Sequence, residues 1–268
     1  PFIAGFETAG EVIEVAPDVS NVAPGDRVMM SVRPGGFAEQ AVADASLLIP
    51  TPDPFDDVTA AAFRVTYFTA YHCLFQRGGL RQGEWVLING ATGGVGLAAV
   101  ELAKLHGAKI IGTGGDDGKL EVVRDYGADH VINYQKGEFR NEVKEITGGK
   151  GVNLVYDPVG GDVFDQSLRC MAWHGRLVSL GFTSGRIPEL PLNYALIKGL
   201  TIMGCRAGEA RRNDPDAGDR ELAEILALAN AGKLHPYVSH TLPFERAVEG
   251  MHLLMDRKVI GKLVFTMN

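Results

Sequence analysis

The run Asn89-Gly90-Ala91-Thr92-Gly93-Gly94-Val95-Gly96-Leu97 follows the apolar stretch Trp85-Val86-Leu87-Ile88 and leads into a helical pattern. It is a variant of the G-x-G-x-x-G fingerprint, with Ala91 in the place of the first glycine. The chemistry open to such a turn is the gripping of a diphosphate. Gly93 lets the backbone approach the anion, and Gly96 lets the following helix pack closely on its strand. The helix start adds unpaired N–H groups and a partial positive charge. A glycine motif alone is as often an ordinary turn. Here strand, turn, helix and a second apolar strand stand in the required order, so Ala91, Thr92, Gly93, Gly94, Val95 and Gly96 are read as a dinucleotide-binding loop.

Which dinucleotide is bound depends on the end of the second strand. An NAD enzyme places a carboxylate there for the ribose 2′-hydroxyl. In this chain Lys109-Ile110-Ile111-Gly112-Thr113 runs into Gly114-Gly115, which leaves room for a 2′-phosphate, and Lys119 can supply a compensating charge. Asp116 and Asp117, near the spacing of about 20 residues expected for the NAD carboxylate, speak against this. They are placed in the loop leading to the next helix, and Lys119 could equally be an ordinary solvated lysine. The reading adopted is NADPH.

No Ser-His-Asp or paired-carboxylate arrangement stands at a usable spacing, and no residue is assigned as general acid. The histidines (His72, His106, His130, His174, His235, His240, His252) show no metal-ligand spacing and are read as surface or turn residues. Cys73, Cys170 and Cys205 are odd in number, far apart and outside any C-x-x-C motif, which fits a reducing, cytoplasmic setting. A net charge of −7 argues against a nucleic-acid or anionic-membrane surface. No apolar run reaches the roughly 18–20 residues of a membrane span.

The elements that must position the loop follow from hydrophobic pattern. Apolar runs at 85–88, 109–111, 130–132, 152–155, 176–178 and 200–203 alternate, at first, with amphipathic stretches at 95–105, 119–126 and 139–146. This describes a doubly wound parallel sheet of the Rossmann kind. Residues 56–75 read as helix, and 221–231 as an amphipathic helix ended by Gly232. Before them, 11–15, 27–30 and 37–42 read as short strands between Pro/Gly turns. Pro1 is no initiator and Phe2-Ile3-Ala4-Gly5 begins without a lead-in, which reads as a chain lacking its N-terminal part.

Taken together the motifs resemble a known family. Gly5-Phe6-Glu7-Thr8-Ala9-Gly10-Glu11-Val12, Gly25-Asp26-Arg27-Val28, Thr69-Ala70-Tyr71, the glycine loop, Gly127-Ala128-Asp129-His130-Val131-Ile132-Asn133-Tyr134 and Gly261-Lys262-Leu263-Val264 are similar to those of medium-chain dehydrogenase/reductases. Within that superfamily they resemble the zinc-independent NADPH:quinone oxidoreductases. The resemblance implies a Rossmann domain inserted in a GroES-like, β-rich catalytic domain: 1–65 catalytic (partial), 66–204 NADP-binding, 205–268 catalytic again. It places Thr69 near the nicotinamide, Lys119 and Tyr134 near the 2′-phosphate with Gly115, Val159 and Gly160 on the adenosine side, and Gly181 and Phe182 at the nicotinamide end. Duller roles stay open: a helix-start contact for Thr69, a strand cap for Tyr134, plain core for Phe182. Asp157-Pro158 departs from the serine common beside the cofactor, and Cys205-Arg206 is either cleft-facing or a buried cysteine beside a surface arginine.

Zinc-binding relatives carry histidine where this chain has Phe6 and cysteine where it has Val65, so no metal is expected. The implied activity is hydride transfer from NADPH to a quinone or other conjugated carbonyl, a small molecule, by a homodimer using the 200–203 strand. Alternatives are an enone or enoyl-thioester reductase and a non-catalytic NADPH-binding protein.

Overall fold

A computed structural model describes residues 2–31 and 35–267, so Pro1 lies outside the described residues. The chain divides into two units, one drawn from the described residues of Pro1–Tyr67 and Ala223–Asn268, the other from Phe68–Leu222.

The first unit opens with antiparallel strands β1 (Glu7–Glu11) and β2 (Arg27–Ser31), joined by the short β3 (Ile49–Pro50). β1 lies earlier than the strand expected at 11–15. The ladder runs from Glu7 opposite Ser31 to Glu11 opposite Arg27, and closes where Val12 bonds Asp26 and Gly25. There the partner chain turns away at Pro24-Gly25, leaving residues 13–15 without a strand to pair with. The strand expected at 37–42 does not form either. Phe37 is held by ring contacts to Phe244 and Phe265, with centroids 6.2 and 5.2 Å away.

α1 (Asp57–Tyr71) continues into a single π-helical turn, His72–Arg77, so the helix expected at 56–75 is present but changes its winding. The second unit then alternates strand and helix: β4 (Trp85–Ile88), α2 (Gly94–Leu105), β5 (Lys109–Gly114), α3 (Asp117–Asp125) and β6 (His130–Asn133). α4 (Arg140–Ile146), β7 (Val152–Asp157), α5 (Gly161–Arg169), β8 (Met171–Ser179), α6 (Leu192–Lys198) and β9 (Thr201–Gly204) follow. The six strands are parallel in the order β6-β5-β4-β7-β8-β9. This is the doubly wound arrangement expected, and it reverses direction between β4 and β7, where such folds bind ligands at the strands' carboxyl ends.

The strands read as unbroken apolar runs because both faces of a parallel sheet are covered. Leu87, Ile88, Ile110, Ile111, Leu154 and Val155 are all 0 % exposed. Each such side chain contributes about 1.5–3 kcal/mol by leaving water. The chain ends with α7 (Ala207–Asn213), α8 (Pro215–Asn230), β10 (Val238–Pro243), α9 (Ala247–Met255) and β11 (Lys262–Thr266), with β10 and β11 parallel partners. No helix among the described residues is long and apolar enough to cross a membrane.

Candidate functional site

Three strand-ending turns meet at the switch point of the sheet. The first is the glycine loop. Ala91 donates its N–H to the Thr113 carbonyl of β5 at 2.8 Å, and Gly93 sits at the start of α2 with no side chain capping it. A Cβ on Gly96 would stand 2.3 Å from the Gly90 carbonyl oxygen and 2.7 Å from Ala91 Cα, so only glycine lets α2 approach its strand this closely. A Cβ on Gly93 would meet only the Gly90 oxygen, at an ordinary 3.6 Å. Thr92, Gly93, Gly94 and Val95 are half-buried. The loop is thus tight beneath and unsealed above, which fits an anion at the helix start.

The second turn follows β5. A Cβ on Gly114 would come within 3.0 Å of Thr92 Cγ2, so Gly114 brings the strand end under the glycine loop. Gly115 is exposed, with the ring of Tyr134 beside it. Lys119 is half-buried in the first turn of α3. Burial pulls its ammonium below the usual range while the charge of Asp116 opposes this. The two carboxylates that spoke for NAD are committed to local structure. Asp116 caps α3, accepting the Lys119 N–H at 2.9 Å, and Asp117 belongs to the helix rather than the loop before it. Asp117 takes the Asn133 amide at 2.8 Å and pairs with Lys136 Nζ at 2.7 Å, with Lys136 and then Asn133 holding its carboxyl below its ordinary value.

The third turn follows β7. Val159 lies against the Gly90 position, 3.0 Å from where a Cβ would stand, which joins this turn to the glycine loop. Gly160 has φ 68°, and its open face is covered by Phe182. Thr183 and Ser184 donate to the Pro158 and Val159 carbonyls at 3.1 and 3.0 Å, so the segment carrying Gly181 and Phe182 is zipped to the β7 turn. Phe182 is 44 % exposed and is not plain core. Thr69 stands half-buried near the end of α1, not at a helix start, and on a helix rather than a strand-ending turn. Tyr134 opens a short 3-10 turn whose cap is Asn133.

Beneath these turns lies a polar network absent from the sequence reading. Asp157 Oδ1 accepts the N–H groups of Val159 and Gly160 at 3.1 and 3.2 Å and the Asn89 amide at 3.2 Å. Asn89 also donates to Ser167 Oγ at 3.0 Å and accepts from Thr113 Oγ1 at 3.2 Å. All four side chains are buried, and burial pushes the Asp157 carboxyl above its ordinary value. The available signal was a polar residue closing an apolar strand, twice: Asn89 after β4 and Asp157 at the end of β7.

His72 also departs from expectation. It is buried, not a surface residue, with Nδ1 2.9 Å from Glu221 Oε2 and the Phe68 ring stacked on it. Phe6 is exposed, while its neighbour Glu7 accepts the Val65 N–H at 2.6 Å and pairs with Lys262 Nζ at 2.7 Å. Among the described residues no three His, Cys, Asp or Glu side chains gather where they could hold a metal.

Comparison with known proteins gives a consistent result. Residues 1–53 match the family model described as the alcohol dehydrogenase GroES-like domain, and 94–224 the one described as zinc-binding dehydrogenase. The chain is 37 % identical to quinone oxidoreductase-like protein 2 homolog of Nematostella vectensis, over 98 % of this chain and 73 % of that protein. It is 34 % identical to 2-haloacrylate reductase of a Burkholderia species, over 98 % and 80 %. Among solved structures, the Escherichia coli quinone oxidoreductase complexed with NADPH superposes with a TM-score of 0.88 at 30 % identity, covering 97 % of this chain and 82 % of that one.

Proposed function

Because the chain belongs to the medium-chain dehydrogenase/reductases, of the quinone oxidoreductase type, we propose that it is an NADPH-dependent reductase delivering hydride to a quinone or other conjugated carbonyl without a catalytic zinc. The observation that carries the cofactor choice is Gly115. It presents no side chain after β5, and both nearby carboxylates are engaged in capping α3 or pairing with Lys136.

In this reading the first-turn amides of α2 and Thr92 hold the diphosphate, Lys119 and Tyr134 the 2′-phosphate beside Gly115, and Val159 and Gly160 the adenosine side. Thr69, Gly181 and Phe182 orient the nicotinamide end. When bound, the dinucleotide supplies the hydride. The chain's part is to fix the acceptor's distance and orientation and to keep water out. Phe6 and Val65, at the two positions where zinc-binding relatives carry ligands, offer no lone pair to a metal. An acceptor already activated by conjugation needs no Lewis acid, and the likeness to 2-haloacrylate reductase favours such an acceptor beside a quinone.

The reading includes a homodimer. β9 is one of the two outer strands of its sheet, and Leu192, Leu196 and Ile197 of α6 before it are 73, 82 and 65 % exposed. Sedimentation of the wild type and of Leu196→Asp checks this. Free, buried cysteines support a cytoplasmic, reducing location.

Fluorescence titration with NADPH and NADH tests the cofactor choice. Wild type should prefer NADPH, and Lys119→Ala should lose about 1.5–3 kcal/mol for NADPH alone. Equal affinity for the two cofactors removes the argument. A steady-state panel of quinones and enones then ranks acceptors, and tight NADPH binding without turnover on any of them points to a binding protein.

A further inference from the structure

The carboxylate of Asp117, the first residue of α3, holds two residues of the connection that follows β6, and both of its oxygens are used. Asn133, which ends β6, donates its amide to Asp117 Oδ1 at 2.8 Å, and Lys136 Nζ stands 2.7 Å from Asp117 Oδ2. Asn133 Oδ1 in turn accepts the Gln135 N–H at 3.0 Å, which starts the 3-10 turn Tyr134–Lys136. The turn is therefore pinned to α3 at its cap and at its last residue. Between the two anchors lie Tyr134 and Gln135, the residues beside Gly115. Asn133 is opposite Gly114 in the β5–β6 ladder, and a Cβ on Gly115 would stand 3.3 Å from the Tyr134 hydroxyl and 3.4 Å from Gln135 Cγ. No residue of the turn is buried, and Tyr134 rests only part-buried against the core. Polar anchors supply what packing leaves unfixed.

We propose that Asp117 is a positioning residue for the choice between the two dinucleotides, clamping the 134–136 turn so that the Tyr134 hydroxyl stands beside Gly115 for the 2′-phosphate. The inference rests on the NADPH reading above and adds a residue whose charge alone would argue the other way. A carboxylate near a phosphate is repulsive, and one placed after the second strand is the mark of an NAD enzyme. Here Lys136 offsets the charge, and Asn133 and Lys136 occupy both oxygens. What Asp117 does through position and what it would do through charge have opposite signs, so one substitution separates them.

The full chain is titrated with NADPH and with NADH, as wild type and as Asp117→Ala. The clamp predicts that Asp117→Ala binds NADPH about tenfold more weakly, through loss of a charge-assisted hydrogen bond, and NADH within about twofold of wild type. Charge alone predicts a tighter NADPH complex. Asp117→Asn keeps an oxygen for the Asn133 amide and should bind NADPH more tightly than Asp117→Ala. Asn133→Ala should weaken NADPH as Asp117→Ala does, and the double variant should lose no more than either single one. The Asp117–Lys136 pair is exposed and adds little to global stability, so these variants should stay folded. In the cofactor-free protein, hydrogen exchange at the Gln135 amide should quicken in Asp117→Ala.

NADPH binding by Asp117→Ala that is unchanged or tighter, equal losses for the two cofactors, or additive losses in the double variant would each overturn the proposal while the wild-type preference for NADPH stands. Unchanged exchange at Gln135 overturns the clamp whichever cofactor the protein prefers. Equal affinity of the wild type for NADPH and NADH overturns the reading beneath the proposal, and the proposal with it.

Discussion

The ring of Tyr134 lies over Gly115: a first side-chain carbon built on that glycine would stand 3.3 Å from both Tyr134 Cε2 and its hydroxyl oxygen. The neighbour is the movable end of an aromatic side chain rather than backbone, so a small residue at 115 can be accommodated by a slight shift of the ring. Gly115→Asp would then put a carboxylate in the space assigned to the 2′-phosphate. NADPH should bind at least about tenfold more weakly, a loss of about 1.4 kcal/mol, while NADH holds or improves. Titration of both cofactors decides; parallel losses would mean that Gly115 serves the loop and not the choice of phosphate.

Gly96 and Gly93 separate close packing from open space within one loop. Gly96→Ala drives a methyl into the Gly90 carbonyl and Ala91 backbone, neither of which can swing aside. α2 must shift, costing about 1–3 kcal/mol in stability, and NADPH and NADH should weaken together. Gly93 has φ −86° and ψ 170°, which alanine adopts freely, and the added methyl makes ordinary contact. Gly93→Ala should therefore leave stability within about 1 kcal/mol of wild type and act on cofactor affinity. Chemical unfolding beside titration separates the two effects; a destabilised Gly93→Ala would contradict the open face above the loop.

The parts legible in the sequence are those fixed by local pattern. Leu87 and Ile88, or Ile110 and Ile111, mark central parallel strands because burial on both faces allows no polar alternation. The glycine loop is legible because Gly96 answers a demand made by residues five and six positions earlier. What escaped depends on distant partners. Alternation in residues 11–15 resembles a strand, yet the ladder ends where Pro24-Gly25 turns its partner away. Phe37 is held by rings of Phe244 and Phe265, and no local pattern announces that. His72 reads as a surface residue until Glu221 arrives beside it.

The His72–Glu221 contact is buried, with side chains 10 and 7 % exposed, so its loss strands one polar partner away from water. Glu221→Ala should destabilise the protein by about 3 kcal/mol, and His72→Ala by a similar amount. The double variant should cost much less than the sum, because neither partner is then left alone. A double-mutant cycle in urea measures this directly; additive losses would show that the two side chains act through packing and not through each other.

Asp157 links the polar network to pH. Burial raises its carboxyl above the ordinary 3.8, although the Val159 and Gly160 amides and Asn89 favour the ionised form. A raised folded pKa means that the folded protein holds this proton more tightly than the unfolded chain. The stabilisation that follows is complete below 3.8 and is lost as pH rises through the raised value. Asn at this position keeps an oxygen in the place of Oδ1, which receives the amides of Val159, Gly160 and Asn89 in the wild type, and carries no titrating proton. Wild type should therefore lose stability relative to Asp157→Asn as the pH rises from 3.8 through the raised value. Asp157→Ala strips the acceptor from those donors at every pH, so it should cost about 1–3 kcal/mol throughout and loosen the turn carrying Val159 and Gly160. Unfolding in urea across that range gives both slopes, and a wild type that gains on Asp157→Asn with rising pH would reverse the assignment, making the ionised carboxylate the favoured form in the fold.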